Sequence, residues 1–372
     1  MKNAGPLCLF LSLIIGCTQK EYRVENSENP EFRANTVFAS YENLSLPKFD
    51  SLRTKYKPDT VFHGEKDEFA RILLLRNWIR SVIRINDFAT DYPGEGYPEG
   101  ILDAAMKGHG YHCGHYMVVQ NAIMNAYGYV TRCLGSGPGV EGGPDGHHGI
   151  NEIWVNKYKK WFLSDAKYNH HFEKNGIPLS ALEVREEYLK NKAADIVLVK
   201  GAGRTVIADD GVANEKGVYV KRTKEQFAQW YTWLEWDMNN NRYSAWPDFN
   251  GRLTMYNDEY FKNHTWIWDG KPHWAYNTEH VKYVDERKAI EWTPNTINGN
   301  VHIGADSVNI TLASITPNFK EYQVKLSPQA EWVKCDSSVT LALDKNTLEL
   351  SFHAVNVSDV SGPEYKVVLT SN

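Results

Sequence analysis

The apolar run between Cys113 and Gly128 constrains the fold more than any other stretch of this 372-residue chain. Met117, Gln120 and Met124 recur from Cys113 at helical spacing, and the residues between them make most sides of the helix apolar. A helix without a polar face has to be covered by other elements on most of its sides. We therefore expect a central, buried helix that begins close to Cys113 and ends at Gly128, a residue suited to the turn after a helix.

The elements around this helix are predicted from apolar spacing and from turn residues. Acidic residues crowd the start of a helical pattern over 65–83, and a short helix is expected over 101–107. The run YVTRCL (129–134) has the composition of a strand. HGINEIWV and WFLSDAKY, which the short polar segment NKYKK joins, predict two antiparallel strands that form a hairpin.

These elements place Cys113, His148 and Asp165 where thiol chemistry would need them. A thiol attacks an acyl carbon as thiolate, and the start of a helix favours the anion and offers N–H groups, that of Cys113 included, to a developing oxyanion. His148 opens one strand of the hairpin and Asp165 closes the next, so both can lie at the same end of the sheet. We predict that Cys113 is the nucleophile, His148 the general base and acid, and Asp165 the group that orients the imidazole. A buried structural cysteine is the alternative for Cys113.

These segments resemble the core of the transglutaminase-like superfamily, whose pattern is a cysteine at a buried helix, GxxxR and HxWxEVxVxxxWxxxD. The matching positions are Cys113, Gly128, Arg132, His148, Glu152, Trp161 and Asp165. Ile150 stands where the family usually has tryptophan, and Ala166 stands where proline is common. The resemblance covers roughly residues 66–175. It implies a papain-like α+β fold, with the nucleophile helix on an antiparallel sheet, and acyl chemistry at a thiol without a cofactor.

Histidines raise the alternative of a zinc site, since seven of the thirteen fall between 109 and 171. The pairs at 147–148 and 170–171 lie on strands, where neighbouring side chains point to opposite faces, so each pair offers one ligand to a given site. His109, His112 and His115 straddle the helix start instead of lying one turn apart on it. We therefore predict no metal site from these residues.

Residues close to Cys113 are candidates for substrate contacts. His112 and His115 flank the thiol and could touch substrate or tune the thiol, and two solvated or hydrogen-bonded histidines are an equal alternative. Tyr116 and Trp78 are candidates for substrate binding or for a second oxyanion donor, with packing as the simpler explanation.

Residues 225–292 contain eight of the twelve tryptophans. Trp230, Trp233 and Trp236 are three residues apart, which places them roughly on one helix face and is also the spacing of a core stripe. Aromatic rings stack well on sugars, so Trp230 and Trp266 are candidate glycan contacts. Packing in a core is the alternative for this segment.

The first seventeen residues are predicted to be a lipoprotein signal peptide. Lys2 is followed by an apolar run over 7–15 that is too short to span a bilayer. Gly16 directly precedes Cys17, which resembles a lipobox whose cysteine becomes the lipidated first residue of the mature chain. We expect an exported protein that lipid at Cys17 anchors to a bacterial cell-envelope membrane, on the outer membrane or the periplasmic face. A plain signal peptide is the alternative.

Changes in composition along the chain predict its organisation. Short alternating runs at regular spacing from about 293 indicate a small β-sandwich, and residues 178–193 have a helical pattern. The predicted parts are a signal peptide (1–17), a tether and lead-in (18–60), a transglutaminase-like core (61–200), an aromatic-rich extension (201–292) and a β-sandwich (293–372). Within the tether and lead-in, residues 18–45 are predicted to have little structure. A net charge of −5 without a clustered basic face argues against a nucleic-acid partner.

The leading hypothesis is a lipid-anchored cysteine hydrolase or acyltransferase that acts on an amide bond of a peptide or glycopeptide through an acyl-thioester at Cys113. A catalytically silent lipoprotein that binds glycan or peptide is one alternative. A polysaccharide lyase or glycosidase that uses the same cleft is another, because a fold does not fix a function.

Overall fold

The structure, a computed structural model, describes residues 21–25, 29–94, 96–139, 146–213, 219–268, 271–273, 276 and 279–371. Cys17 and the predicted signal peptide lie outside these residues. Within the described ranges, no helix is both long enough and apolar enough to cross a membrane.

Helices over the described residues are α1 Pro47–Tyr56, α2 Glu68–Val82, α3 Pro98–Ala105, α4 Cys113–Ala126, α5 Ala181–Asn191, α6 Lys224–Gln229, α7 Arg242–Ala245, α8 Glu259–Asn263 and α9 Arg287–Ile290, with a 3-10 helix over Pro58–Phe62. Side chains cap several of them. Asp67 accepts from the third residue of α2, and Ser180 and Glu183 form a reciprocal capping box at α5. The helices predicted over 65–83, 101–107 and 178–193 are confirmed by α2, α3 and α5.

Strands over the described residues are β1 Tyr22–Glu25, β2 Ser40–Tyr41, β3 Arg84–Ile85, β4 Gly110–Tyr111, β5 Thr131–Gly137, β6 His148–Val155, β7 Lys160–Ser164, β8 His170–Lys174, β9 Ile177–Pro178, β10 Val197–Lys200, β11 Thr205–Ile207, β12 Asp209–Ala213, β13 Tyr219–Thr223, β14 Trp233–Asp237, β15 Asn239–Asn240, β16 Leu253–Tyr256, β17 Ile267–Trp268, β18 Lys271–Pro272, β19 Val281–Val284, β20 Ile297–Ile303, β21 Ser307–Ser314, β22 Phe319–Lys325, β23 Val333–Cys335, β24 Ser338–Ala342, β25 Thr347–Asn356 and β26 Tyr365–Ser371. The chain is thus a mixed α and β protein with several sheets.

The largest sheet has six strands in the order β19-β16-β14-β5-β6-β7, and the predicted β6–β7 hairpin forms its end. Both faces of this sheet are buried. Ile153 and Val155 of β6 join the apolar cluster of α1 to α4, whereas Ile150 and Trp154 join a second cluster that includes α5. Helix α4 packs on β5 and β6, which confirms the predicted central, buried helix.

The prediction of a tether with little structure over 18–45 is wrong for its described part. Strand β1 pairs antiparallel with β26, the last strand of the described residues, and β2 pairs with β15. Val37 and Phe38 are buried in the cluster on the far side of the six-stranded sheet from α4. A few apolar residues in a polar segment are enough to add an edge strand, because the backbone supplies the pairing.

The C-terminal residues form two antiparallel sheets, one of three strands (β20-β21-β24) and one of five (β1-β26-β25-β22-β23). Apolar residues of both sheets belong to one buried cluster, among them Ile310 of β21 and Phe352 of β25. A β-sandwich over 293–372 stays a prediction.

The tryptophans of 230–236 do not share a helix face as their spacing suggested. Trp230 directly follows α6, and Trp233 and Trp236 lie on β14, where a separation of three residues sends them to opposite faces. Trp233 packs with Trp266 in one cluster, and Trp236 packs in another. A period of three fits a short helix and a strand buried on both faces equally well, so spacing could not decide.

Candidate active site

Cys113 is the first residue of α4, and the residue as a whole is partly exposed. His112 caps the helix, since its Nδ1 accepts a hydrogen bond of 3.1 Å from the N–H of Gly114. Gly149 of β6 lies directly against this helix start, because a Cβ there would come within 3.3 Å of the Gly114 Cα. The N–H of Cys113 has no intrahelical acceptor at this first position, so it is a candidate oxyanion donor.

His148 and Asp165 lie together at one end of the six-stranded sheet. His148 opens β6, Asp165 follows β7, and the His148 Nε2 lies 2.7 Å from the Asp165 Oδ2. This contact leaves the Nδ1 of His148 for the Cys113 thiol, whose pKa His148 lowers. The structure therefore brings together the three residues that the sequence singled out.

Neighbouring charges shift the pKa values of Cys113 and His148 in opposite directions. Burial would raise the pKa of the Cys113 thiol, but hydrogen bonds with His112 and His148 and the nearby charge of Lys167 hold that pKa well below its usual range. Burial would likewise lower the pKa of His148, but Asp165 and Cys113 raise it to about 9. Both shifts favour the pair of thiolate and imidazolium over the neutral pair.

Two residues that sequence reasoning missed hold the Asp165 carboxylate. The Tyr231 hydroxyl donates to the Asp165 Oδ2 over 3.1 Å and lies 3.3 Å from the Nε2 of His170. Burial lowers the pKa of His170 to about 3, so this imidazole is neutral. The N–H of Tyr168 donates to the other carboxylate oxygen over 3.1 Å. No local pattern marked Tyr231, which reaches the site from 66 positions away.

A buried cation also stands near the thiol. Lys167, two residues after Asp165, is 5% exposed, and its Nζ lies 2.7 Å from both carboxylate oxygens of Asp87. Its charge favours the Cys113 thiolate. The residue type and its place beside Asp165 were visible in the sequence, but its partner Asp87 was not.

The structure also locates the candidate substrate contacts near α4. His115 is buried, with its ring stacked on Tyr92 at 4.8 Å and 4.1 Å from the ring of His112. Tyr116 is fully buried and donates to the backbone oxygen of Ile83 over 2.5 Å. Trp78 is partly buried against the same apolar cluster. These contacts favour packing for Tyr116 and Trp78.

The two tryptophan candidates differ in their surroundings. Trp230 is partly exposed, its ring lies 6.1 Å from that of His148, and the Arg222 guanidinium lies over it at 4.3 Å. Trp266 is 1% exposed and stacks on His273 with ring centroids 3.8 Å apart. Trp230 therefore faces the site, whereas Trp266 belongs to a core.

Glu152 has a structural role, because its carboxylate accepts hydrogen bonds from several elements of the fold. It accepts hydrogen bonds from Arg132 over 2.6 and 2.9 Å, from the Trp236 indole over 2.9 Å and from the N–H of Ala181 over 2.7 Å. Trp161 stacks under the Arg132 guanidinium at 4.0 Å. These family-pattern residues join the hairpin to β5, β14 and α5.

A cavity of about 190 Å³ opens beside the thiol. Among its lining residues are His112, Cys113, Met117, His147, Glu235 and Arg242. His147 and His148 have different partners: the His147 Nε2 lies 3.4 Å from the Glu235 Oε1, whereas His148 contacts Asp165. The space next to the thiol is thus bounded by a buried carboxylate and a second imidazole.

No family model matches the chain, and no curated protein matches it. Among solved structures, the chain is similar to the crystal structure of red sea bream transglutaminase, with 11% sequence identity and a TM-score of 0.25 over 80% of this chain. The chain spans about half of that structure, 48% of its length. A likeness of this size carries no argument about fold or activity.

Proposed function

We propose that this chain is a cysteine-dependent amide hydrolase or acyltransferase with a transglutaminase-like, papain-like core. The observation that carries the proposal is the grouping of the Cys113 thiol at the start of α4 with the His148 imidazole and the Asp165 carboxylate. A purely structural cysteine needs neither an ion-pair partner nor a buried carboxylate behind that partner.

In the first step, the Cys113 thiolate attacks the carbonyl carbon of an amide, and the carbonyl electrons move to oxygen. The N–H of Cys113 and the positive end of α4 stabilise the oxyanion. The oxyanion then collapses, the C–N bond breaks, and the leaving nitrogen takes the proton from the Nδ1 of His148. The products of this step are a free amine and an acyl-thioester on Cys113.

In the second step, neutral His148 accepts a proton from water or from an acceptor amine, which attacks the thioester carbon. The thiolate leaves and the imidazolium is restored. Asp165 keeps the imidazole in one orientation throughout, because its Oδ2 binds the Nε2.

We propose a peptide or glycopeptide substrate for this site. Trp230 supports that choice, since a partly exposed indole beside His148 offers a face to an apolar side chain or a sugar ring. Trp266 does not support it, because its ring is covered. Loss of glycopeptide binding in Trp230→Ala, with binding retained in Trp332→Ala, a partly exposed control that stacks on His353 of β25, is the expected result on a glycan array.

Export and lipid anchoring at Cys17 are proposals as well. Their support is the sequence at the start of the chain. In cells fed labelled fatty acid, the full chain is expected to carry label and sediment with membranes, and Cys17→Ser is expected to lose both properties. An unlabelled wild-type chain would contradict the anchor.

Thiol alkylation tests the proposed nucleophile. At neutral pH, a substoichiometric amount of iodoacetamide should label Cys113 much faster than Cys335, because burial and Asp336 raise the pKa of Cys335 to about 11. His148→Ala should slow the labelling of Cys113, whereas the exposed control His302→Ala should not. Equal labelling of the two cysteines, located by mass spectrometry, would overturn the proposal.

A further inference from the structure

His147, Glu235 and His273 converge from three separate elements at the edge of the Cys113 cavity. His147 directly precedes β6, Glu235 lies in the middle of β14, and His273 follows β18. One ligand atom from each of the three lies within 4.8 Å of the others. Glu235 and His273 are each 2% exposed, and the His147 side chain is 31% exposed.

The spacing of these atoms is close to that of ligands around one metal ion. The His147 Nε2 lies 3.4 Å from the Glu235 Oε1, and the His273 Nδ1 lies 3.6 Å from the Glu235 Oε2. The first contact is a long hydrogen bond, and both separations exceed the usual N–H···O length of about 2.7–3.2 Å. Bonds of about 2.0–2.2 Å to a tetrahedral zinc ion place neighbouring ligand atoms about 3.4 Å apart.

The surrounding sequence makes room for the buried carboxylate. Glu235 pairs across the sheet with Gly135, where a Cβ would lie 2.2 Å from the Glu235 Oε1. Two residues along β5, a Cβ at Gly137 would lie 2.4 Å from the ring of Trp266. Trp266 in turn stacks parallel on His273, with an angle of 2° between the ring planes. Two glycines and an indole thus fix the positions of a carboxylate and an imidazole.

We infer that His147, Glu235 and His273 form a binding site for a divalent transition-metal ion of the zinc type. Two imidazoles and one carboxylate are a donor set that such ions take, and three protein ligands leave a position for water or another ligand. His147 and Glu235 also line the cavity of Cys113, so this position is accessible from the same space. The inference goes beyond the proposed acyl chemistry and does not depend on it.

Cobalt binding tests the inference on the full chain. Protein stripped of metal with EDTA and titrated with Co²⁺ should bind one ion with the visible absorption of a low-symmetry nitrogen and oxygen site. Zn²⁺ should displace the cobalt. Glu235→Gln should weaken cobalt binding on the order of 100-fold, since loss of a supporting residue alone costs about 10–100-fold. The exposed control His302→Gln should bind as the wild type does.

Two further variants keep the test decisive. His147→Gln removes a partly exposed ligand and should weaken binding even if Glu235→Gln fails to fold. Cys113→Ser should leave the cobalt affinity unchanged, because the thiol is not one of the proposed ligands. The inference is overturned by no binding in the wild type, by binding that His147→Gln leaves unchanged, or by a thiolate charge-transfer band that Cys113→Ser abolishes. The alkylation of Cys113 is measured separately in metal-free protein, so the two proposals can fail independently.

Discussion

At the scale of single residues, charge balance around Cys113 decides how reactive the thiol is. Burial works against the thiolate, and three side chains from different parts of the chain outweigh that cost: His112, His148 and Lys167. Asp165 then prevents burial from neutralising His148. The sequence pattern predicted that Cys113 and His148 act together. The contribution of Lys167 could not be predicted in this way, because it depends on a fold that brings this residue close to the start of α4.

The pH dependence of thiol labelling follows from these shifts. A lowered pKa keeps Cys113 deprotonated as the pH falls, so alkylation should persist well below pH 8.5, the approximate pKa of an ordinary thiol. Cys335, with its pKa raised to about 11, should lose about tenfold in rate for each pH unit over the same range. The measurement is the iodoacetamide rate of each cysteine in EDTA-treated protein between pH 5 and about 8. Parallel profiles for the two cysteines would refute the assigned ion pair.

At the scale of elements, local sequence determines some pieces and leaves others open. Helix α4 and the β6–β7 hairpin could be predicted because spacing and turn residues within 20 or so positions define them. Strand β14 could not, because its identity depends on pairing with β5, about a hundred positions earlier. Long separations in sequence also hid Glu235, which pairs with Gly135, and Tyr231, which lies 66 positions from Asp165.

Gly135 on β5 provides a test at this scale. In Gly135→Ala, the new methyl group would collide with the Glu235 carboxylate and displace it. The free energy of unfolding should fall by roughly 1–3 kcal/mol, as is usual for overpacking, and the cobalt affinity should fall as well. Gly203→Ala is the matched control, since a Cβ there meets nothing within 4 Å. Urea denaturation and cobalt titration of both variants make the comparison, and an unaffected Gly135→Ala would contradict the tight fit.

At the scale of the whole molecule, one buried ion pair joins most of the layers. Arg132 of β5 and Glu152 of β6 are 0% and 1% exposed, and Arg132 also donates to the backbone oxygen of Ile290 in α9. Glu152 contacts β14 through Trp236 and the start of α5 through Ala181. The resemblance singled out both charged residues. It did not predict their contacts with α5 and α9.

Removing one charge of this pair should be costly. Glu152→Gln keeps the shape but leaves the Arg132 guanidinium buried without its counter-ion, so the free energy of unfolding should fall by roughly 3–5 kcal/mol. Glu259→Gln, a change in a side chain that is 84% exposed, should alter it by no more than about 0.5 kcal/mol. Urea denaturation of the two variants measures both values. Similar stabilities would show that the pair does not carry this part of the fold.

The strand β1 has a consequence for the order in which the chain can fold. Tyr22 pairs with Ser371 and Glu25 with Val368, and β1 has no other neighbour in its sheet as far as the structure describes it. In a chain synthesised from its N-terminus, β1 therefore stays unpaired until β26 has been synthesised. The five-stranded sheet can therefore be completed at its β1 edge only after both ends of the described chain are available for pairing.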